Sequence, residues 1–383
     1  MLNLNPLFIG SHAVLGFHQR LSLAPEERAK LSEARKIIRA ALREGLPALI
    51  KKAYPNFEKI TTPKFHTQGS WAYETIISPA HIPPQQVDMD DGCYMPLSFL
   101  MCAQPDIASK FLFDAVEAVL IPVAQRYGWK INPGGPKSTC TRVELDPTTH
   151  IDIPLYAIPD QEYEKLVEFV EKALLEGKAD AVRADSEWDL LPADVLLLAH
   201  RVEGWKPSDP RPLRDWIIRQ VLLKSEQLRR LMRYTKAWRD WLWPNGRSPS
   251  SILLMVAVDQ ALRECETRDD LALLKVADKL PGILAGKVEN PAIRGEFLSD
   301  KLDEESIRDD VVARARELHS MLHHAIMVCD RPEEACRSLQ QLFGPRFPAD
   351  ATAIEKVKAA AIVTAAPARK IEKEPIVGRS QAG

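Results

Sequence analysis

Asp88 and Asp90 stand two residues apart in the run Gln85-Gln86-Val87-Asp88-Met89-Asp90-Asp91-Gly92, and that spacing constrains the chain more than any other feature. On an extended strand alternate side chains leave the same face, so both carboxylates enter one pocket. Two hard oxygen ligands side by side suit Mg²⁺, which takes a few carboxylates plus substrate phosphates rather than an all-protein cage. Upstream lies Thr67-Gln68-Gly69-Ser70-Trp71-Ala72-Tyr73. A Gly-Ser turn brings backbone N–H groups and a hydroxyl close to a triphosphate, because glycine has no Cβ to hold the chain away. Turn and acids together describe a site for a metal-bound nucleoside triphosphate.

A third carboxylate sits in Thr149-His150-Ile151-Asp152-Ile153-Pro154-Leu155-Tyr156, a run rich in β-branched residues that predicts a strand. Ile151, Ile153 and Leu155 then face the core, and His150 and Asp152 share the opposite face. An aspartate in so apolar a strand is costly unless paired or bound to metal. If this strand lies beside the first, Asp152 joins Asp88 and Asp90 around two cations about 4 Å apart. One would orient the phosphates and the leaving pyrophosphate. The other would acidify an attacking ribose hydroxyl, with Asp152 placed to take its proton.

Gly-Ser, then D-x-D, then a distant strand aspartate is the signature of the polymerase β nucleotidyltransferase superfamily. The strings TQGSWAYET, DMDDGCYMP, THIDIPLYAIP, WKPSDP, RYTKAWRD and SPSSI, in that order, resemble the bacterial cGAS/DncV-like nucleotidyltransferases (CD-NTases). The likeness runs from about residue 25 to residue 345. It implies an α/β (α+β) nucleotidyltransferase fold, a mixed sheet core with a helical second lobe. It also implies a cytoplasmic bacterial enzyme of a CBASS anti-phage system. Such an enzyme joins ATP and GTP, or other nucleoside triphosphates, into a cyclic dinucleotide such as 3′,3′-linked cyclic GMP-AMP, with two Mg²⁺ ions. The alternatives are a transferase making a linear oligonucleotide or modifying RNA, protein or a small molecule, and a non-catalytic module that keeps the fold.

The resemblance carries further positions with it. Gln68, Gly69 and Ser70 match the turn at the donor phosphates, Lys236 a lysine on the triphosphate, and Ser251 a helix-start serine suited to phosphate. Arg142 matches an arginine beside the acceptor nucleotide, and Ser208 a pocket serine. Relatives place a guanine-reading aspartate shortly after a proline in the helical lobe. Here the stretch is Val288-Glu289-Asn290-Pro291-Ala292-Ile293-Arg294-Gly295-Glu296, with only Glu296 or Arg294 to substitute. Related enzymes also end in a small residue that a ubiquitin-transfer-like ligase activates, which makes Gly383 the expected conjugation point.

Plainer roles fit other residues. Asp91 faces the other side of its strand and, with Gly92, reads as a turn. His150 either touches substrate or is a hydrogen-bonded structural histidine. His66, His323 and His324 lack ligand-like spacing, and Trp238, Trp241 and Trp243 read as helix packing. A net charge of −2 argues against a broad nucleic-acid footprint, so no DNA partner is expected. The six cysteines form no CxxC pair and read as free thiols in a reducing compartment. Neither a basic leader before an apolar stretch nor a membrane-length apolar run is present.

The expected organisation is a catalytic core over 1–180, a helical lobe over 181–350 and a flexible tail over 351–383. Pro25-Glu26-Glu27-Arg28 opens a helix to about Ala53, with Leu31, Ile37, Ile38, Leu42 and Leu46 on one stripe. Further helices are expected over 108–127 and 160–176, and the chain is expected to be helical from Arg211 onward. The polar stretch near 177–192 reads as a connection. The Ala-rich, Pro- and charge-containing tail cannot bury enough apolar area to offset ordering entropy.

Overall fold

A 29-residue helix, Pro25–Ala53, forms the spine of the computed structural model. Proline opens it, the Glu27 carboxylate accepts from the Ala24 N–H, and Lys51 and Lys52 face the negative end of its dipole. Its buried stripe is Leu31, Ala34, Ile38, Leu42, Leu46 and Ile50, a three-and-four spacing that lays one face on the sheet. Residues 1–55, 62–96, 98, 105–135, 137–176, 188, 192, 195–262 and 267–357 are described. The tail beyond 357, Gly383 included, and most of the expected 177–192 connection lie outside them, as do Cys102 and Cys265. Cys93, Cys140, Cys329 and Cys336 are buried free thiols.

Strands β1 (Leu2–Asn3) and β9 (Glu355–Lys356) form a small antiparallel pair. The main sheet holds β2 (Lys64–Gln68), β3 (Val87–Pro96), β4 (Lys130–Ile131), β5 (Cys140–Asp146), β6 (Thr149–Ile158), β7 (Leu197–His200) and β8 (Gly204–Pro207). Its order is β2-β3-β6-β5-β4, and β7 pairs with β6 beyond the end of β5 and carries β8 on its other edge. β3 and β6 run parallel, and the other pairs are antiparallel. One face of the sheet (Val87, Met89, Cys93, Val143, Ile151, Ile153, Leu155) packs on the spine and on helix Pro105–Tyr127. The opposite face carries the acids.

Asp91 departs from the expected turn. It lies within β3 on the apolar face, 1% exposed, where the Arg39 guanidinium donates Nε to Oδ2 (2.7 Å) and Nη2 to Oδ1 (2.5 Å). Thr67 Oγ1 adds a contact at 3.1 Å. A charge on that face is tolerable because a two-pronged partner from the spine meets it.

Helices Arg211–Lys224, Glu226–Leu242, Ser251–Ala261, Asp269–Ala285, Arg308–His323 and Pro332–Phe343 build the second lobe. Its core includes Trp238, Tyr234, Phe343 and Phe347, together with Leu2, Leu4, Leu7, Phe8, Phe17 and Leu21. The first twenty-one residues, read from sequence as part of the catalytic core, therefore bury most of their large apolar side chains in the helical lobe, Ile9 and Leu15 staying exposed. Phe8 meets Tyr234 and Phe347 at ring separations of 5.3 and 5.1 Å, and the Leu4 N–H donates to Asp270 (2.9 Å). Trp238 is packed as expected, with Trp243 edge-on to it, while Trp241 stacks on His81.

Polar bonds join the lobes along the loop after the Gly-Ser turn. Lys236 donates to the Thr75 carbonyl (2.7 Å), Gln85 to that of Asp240 (2.7 Å), and Arg346 to those of Ser78 (2.6 Å) and Ala237 (2.9 Å). Among the described residues no helix is long and apolar enough to cross a membrane.

Candidate active site

Strand register assembles the acids. In the parallel β3–β6 pair Asp88 stands beside His150 and Asp90 beside Asp152, all on the face away from the apolar core. From the other side β5 places Arg142 opposite Asp152. Three carboxylates so close repel, and burial adds to that cost. Asp90 shows it. Burial first, then the charges of Asp88 and Asp152, push its carboxyl up to about 7. Asp152 is also buried, but hydrogen bonds from Arg142 and the nearby Lys137 ammonium hold it below its ordinary value. Arg142 donates Nε to Oδ1 (2.7 Å) and Nη2 to Oδ2 (2.9 Å), and Lys137 Nζ donates to Oδ2. Lys137 also lies 3.9 Å from Asp88.

The donor set fits a divalent cation. Asp88, His150 and Asp152 each present a ligand atom within 4.8 Å of the others. Among the described residues Asp88 Oδ1 and His150 Nε2 are buried without an aligned hydrogen-bond partner, and Lys137 brings positive charge to the two acids. Hard carboxylate oxygens with phosphate nearby are what Mg²⁺ accepts.

A cavity of about 470 Å³ opens in front of the acids. Gly69, Ser70, Asp88, Asp90, Lys236 and Ser251, all singled out in the sequence, line it. Gly69 has φ +62°, and a Cβ there would fall 2.1 Å from Asp90 Oδ2, so only glycine lets the turn close onto the acid. Lys236 lies on an inward face of helix Glu226–Leu242. It is buried, and burial, then the neighbouring Arg239 charge, push its ammonium down to about 7. Ser251 begins an 11-residue helix capped by Ser250, so free N–H groups and the positive dipole end meet the cavity. Its hydroxyl accepts from Arg239 (2.6 Å).

Other expected residues lie elsewhere. Gln68 is buried with its amide spent on Tyr94 Oη (2.6 Å) and on accepting from Tyr156 (3.2 Å), so its side chain is turned away from the cavity. Arg142 holds Asp152 and borders a separate small pocket with Lys137 and Cys140. Ser208 donates its N–H to the Leu196 carbonyl and does not line the cavity. Arg294 borders a different cavity with Trp216 and Asp259, and Glu296 is exposed, so neither takes the place of a base-reading aspartate here. Lys137, Arg239 and Tyr73 were not found from sequence. Lys137 follows the Pro-Gly-Gly-Pro run, which gives no helical or strand period to read, and only the β5–β6 register brings its loop to the acids.

A D-x-D strand beside a parallel strand bearing a third aspartate, with a Gly-Ser turn closing on the middle acid, is a nucleotidyltransferase site. Residues 63–156 match the nucleotidyltransferase domain model described as cyclic GMP-AMP synthase DncV-like, and 225–356 match the cyclic GMP-AMP synthase C-terminal domain. The chain is 31% identical to the cyclic GMP-AMP synthase of Vibrio cholerae serotype O1, over 86% of its own length and 88% of the relative's. It is 32% identical to one from Escherichia coli, over 92% and 81%. It overlays the crystal structure of Vibrio cholerae DncV with the linear intermediate 5′ pppA(3′,5′)pG at TM-score 0.75 and 29% identity, covering 94% of this chain and 99% of that one. The DncV complex with nonhydrolyzable GTP gives 0.72 at 26% identity, covering 94% and 100%. This chain belongs to the DncV-like cyclic GMP-AMP synthase family of nucleotidyltransferases.

Proposed function

We propose that this cyclic dinucleotide synthase joins two purine nucleoside triphosphates, ATP and GTP first among them, into a 3′,3′-linked cyclic dinucleotide. One observation supports it above the rest: the in-register pairing of Asp90 with Asp152 beside a cavity walled by Gly69, Ser70, Lys236 and Ser251. Asp88, Asp90 and Asp152 hold two divalent cations, Mg²⁺ first among them, which when bound neutralise the triphosphate and acidify a ribose hydroxyl. The Gly69–Ser70 turn and the helix start at Ser251 offer N–H and hydroxyl donors to phosphate. Lys236 supplies a point charge that the low-dielectric wall strengthens. Asp152, kept ionised by Arg142, accepts the ribose proton as the hydroxyl attacks the α-phosphorus and pyrophosphate departs. Arg142 acts here through Asp152, which it holds, and the acceptor-side roles that the resemblance gives Arg142 and Ser208 find no support in the lining of this cavity.

Purified protein with ATP, GTP and Mg²⁺ is expected to yield phosphatase-resistant product with the mass of a cyclic dinucleotide. Phosphatase-sensitive material alone would reassign the chain to linear transfer. Lys236→Met is expected to weaken ATP binding at least about tenfold, equivalent to about 1.4 kcal/mol. Titration calorimetry reads it, and parental affinity would remove Lys236 from the phosphate-binding set.

The same reading places the product in cytoplasmic anti-phage signalling and Gly383 at the junction with a ubiquitin-transfer-like ligase. Conjugates formed with a cognate ligase are expected to vanish when Gly383 is deleted, and their persistence would refute the junction.

A further inference from the structure

His150 is 5% exposed, and its two ring nitrogens have different surroundings. Nδ1 lies 2.9 Å from Gln86 Oε1. The Gln86 amide is oriented by its other end, where Nε2 donates to the Pro147 carbonyl at 3.1 Å. Gln86 therefore offers His150 only an acceptor, and Nδ1 must carry the proton. In the neutral ring this leaves a lone pair on Nε2.

Nε2 lies 3.0 Å from Asp88 Oδ1 and 4.0 Å from Asp152 Oδ2, and its lone pair is not aligned with Asp88 Oδ1. Nε2 and Asp88 Oδ1 are both buried, and among the described residues neither has an aligned donor. Two acceptors held this close repel unless a cation lies between them. The Lys137 ammonium does not, because it sits on Asp152 and approaches Asp88 through Oδ2 at 3.9 Å, the oxygen turned from the ring. Adjacent ligands of an octahedral ion with bonds of about 2.1 Å lie about 3 Å apart, which matches the Nε2–Oδ1 separation.

We propose that His150 Nε2 is a direct ligand of one divalent cation, shared with Asp88 and Asp152, and that Gln86 fixes the tautomer that makes it one. Imidazole nitrogen raises affinity for Mn²⁺ over Mg²⁺, since Mg²⁺ strongly favours oxygen. This deepens the metal reading of the acids and rests on it.

The probe is Mn²⁺ alone, added to the full chain carrying ¹⁵N-histidine and to an unlabelled sample. Electron spin-echo modulation is expected to show a histidine nitrogen coupled to the bound ion, shifted by the label and absent from His150→Gln. Titration calorimetry is expected to show the preference for Mn²⁺ over Mg²⁺ falling about tenfold in that variant, the scale on which metal-site partners act. Gln86→Met, which leaves every proposed ligand in place, is expected to reduce the same preference. Bound Mn²⁺ without histidine coupling in the parent protein overturns the inference while leaving the three acids as a metal site. Failure to bind Mn²⁺ at all overturns both. The parent measurement stands even where His150→Gln does not fold.

Discussion

Asp90→Asn is expected to abolish cyclic dinucleotide synthesis, by about 10³-fold or more, while leaving a folded and more stable metal-free protein. The activity loss follows from removing one of the charges proposed to hold the cations, because several kcal/mol of charge stabilisation at about 1.36 kcal/mol per decade gives that factor. The stability gain follows from the carboxyl itself, which burial and the charges of Asp88 and Asp152 raise to about 7. In the unfolded chain an aspartate ionises near 3.9. Between those values the folded state holds a proton that the unfolded state has released, so metal-free stability rises as pH falls from 7 toward 4, by at most about 1.4 kcal/mol per unit. Above pH 7 that gain is gone. Asp90→Asn stays neutral at every pH and should lose this slope. Thermal unfolding in chelator across that window, alongside product mass analysis, checks both halves. Full synthesis by the variant would remove Asp90 from the catalytic set, and an unchanged slope would remove it as the titrating group.

Asp91→Ala, one residue along, is expected to do the reverse and cost about 3–5 kcal/mol of stability. The side chain points to the other face of β3 and is 1% exposed, so its removal takes from the Arg39 guanidinium, 15% exposed, its two-pronged partner and leaves the weaker contacts with Thr67 Oγ1 and the Phe65 ring. The thermal midpoint should fall on the order of 10 °C. Replacing both partners, Asp91→Leu with Arg39→Met, should recover most of the loss, because the penalty comes from the stranded charge. Whatever protein remains folded should still bind Mg²⁺. A single variant with an unshifted midpoint would show that this pair does not carry the spine-to-sheet attachment.

The contrast between these neighbours shows which parts of the molecule sequence can reveal. The two-residue period placed Asp88 and Asp90 on one face, and the apolar alternation around Asp152 did the same for β6, since both signals are local. The spine was legible for the same reason: proline, early acids and a three-and-four stripe lie within one segment. Asp91 was read as a turn because its partner Arg39 is 52 residues upstream, and nothing in Asp-Gly points to it. Gln68 was assigned to phosphate because it sits beside Gly69, whereas Tyr94 and Tyr156 claim its amide through tertiary contacts. Lys236 was assigned to the triphosphate by resemblance, but its burial was not legible, because Lys-Ala-Trp-Arg-Asp is a polar stretch in a helix that is buried on several sides. Phe8 and Phe17 gave no hint that the chain start packs into the helical lobe, a pairing that spans more than two hundred residues.

The contact between Gly69 and Asp90 also bears on how substrate arrives. On the proposed reading the backbone offered to phosphate lies against the carboxylate offered to the ion, with no room for a Cβ between them, so neither could be loaded without altering the other's electrostatics. Affinity for nucleotide and affinity for cation must then rise together by one shared factor, whichever is added first. On that reading the species expected to enter this cleft most readily is the chelate, with uncomplexed triphosphate a weak competitor.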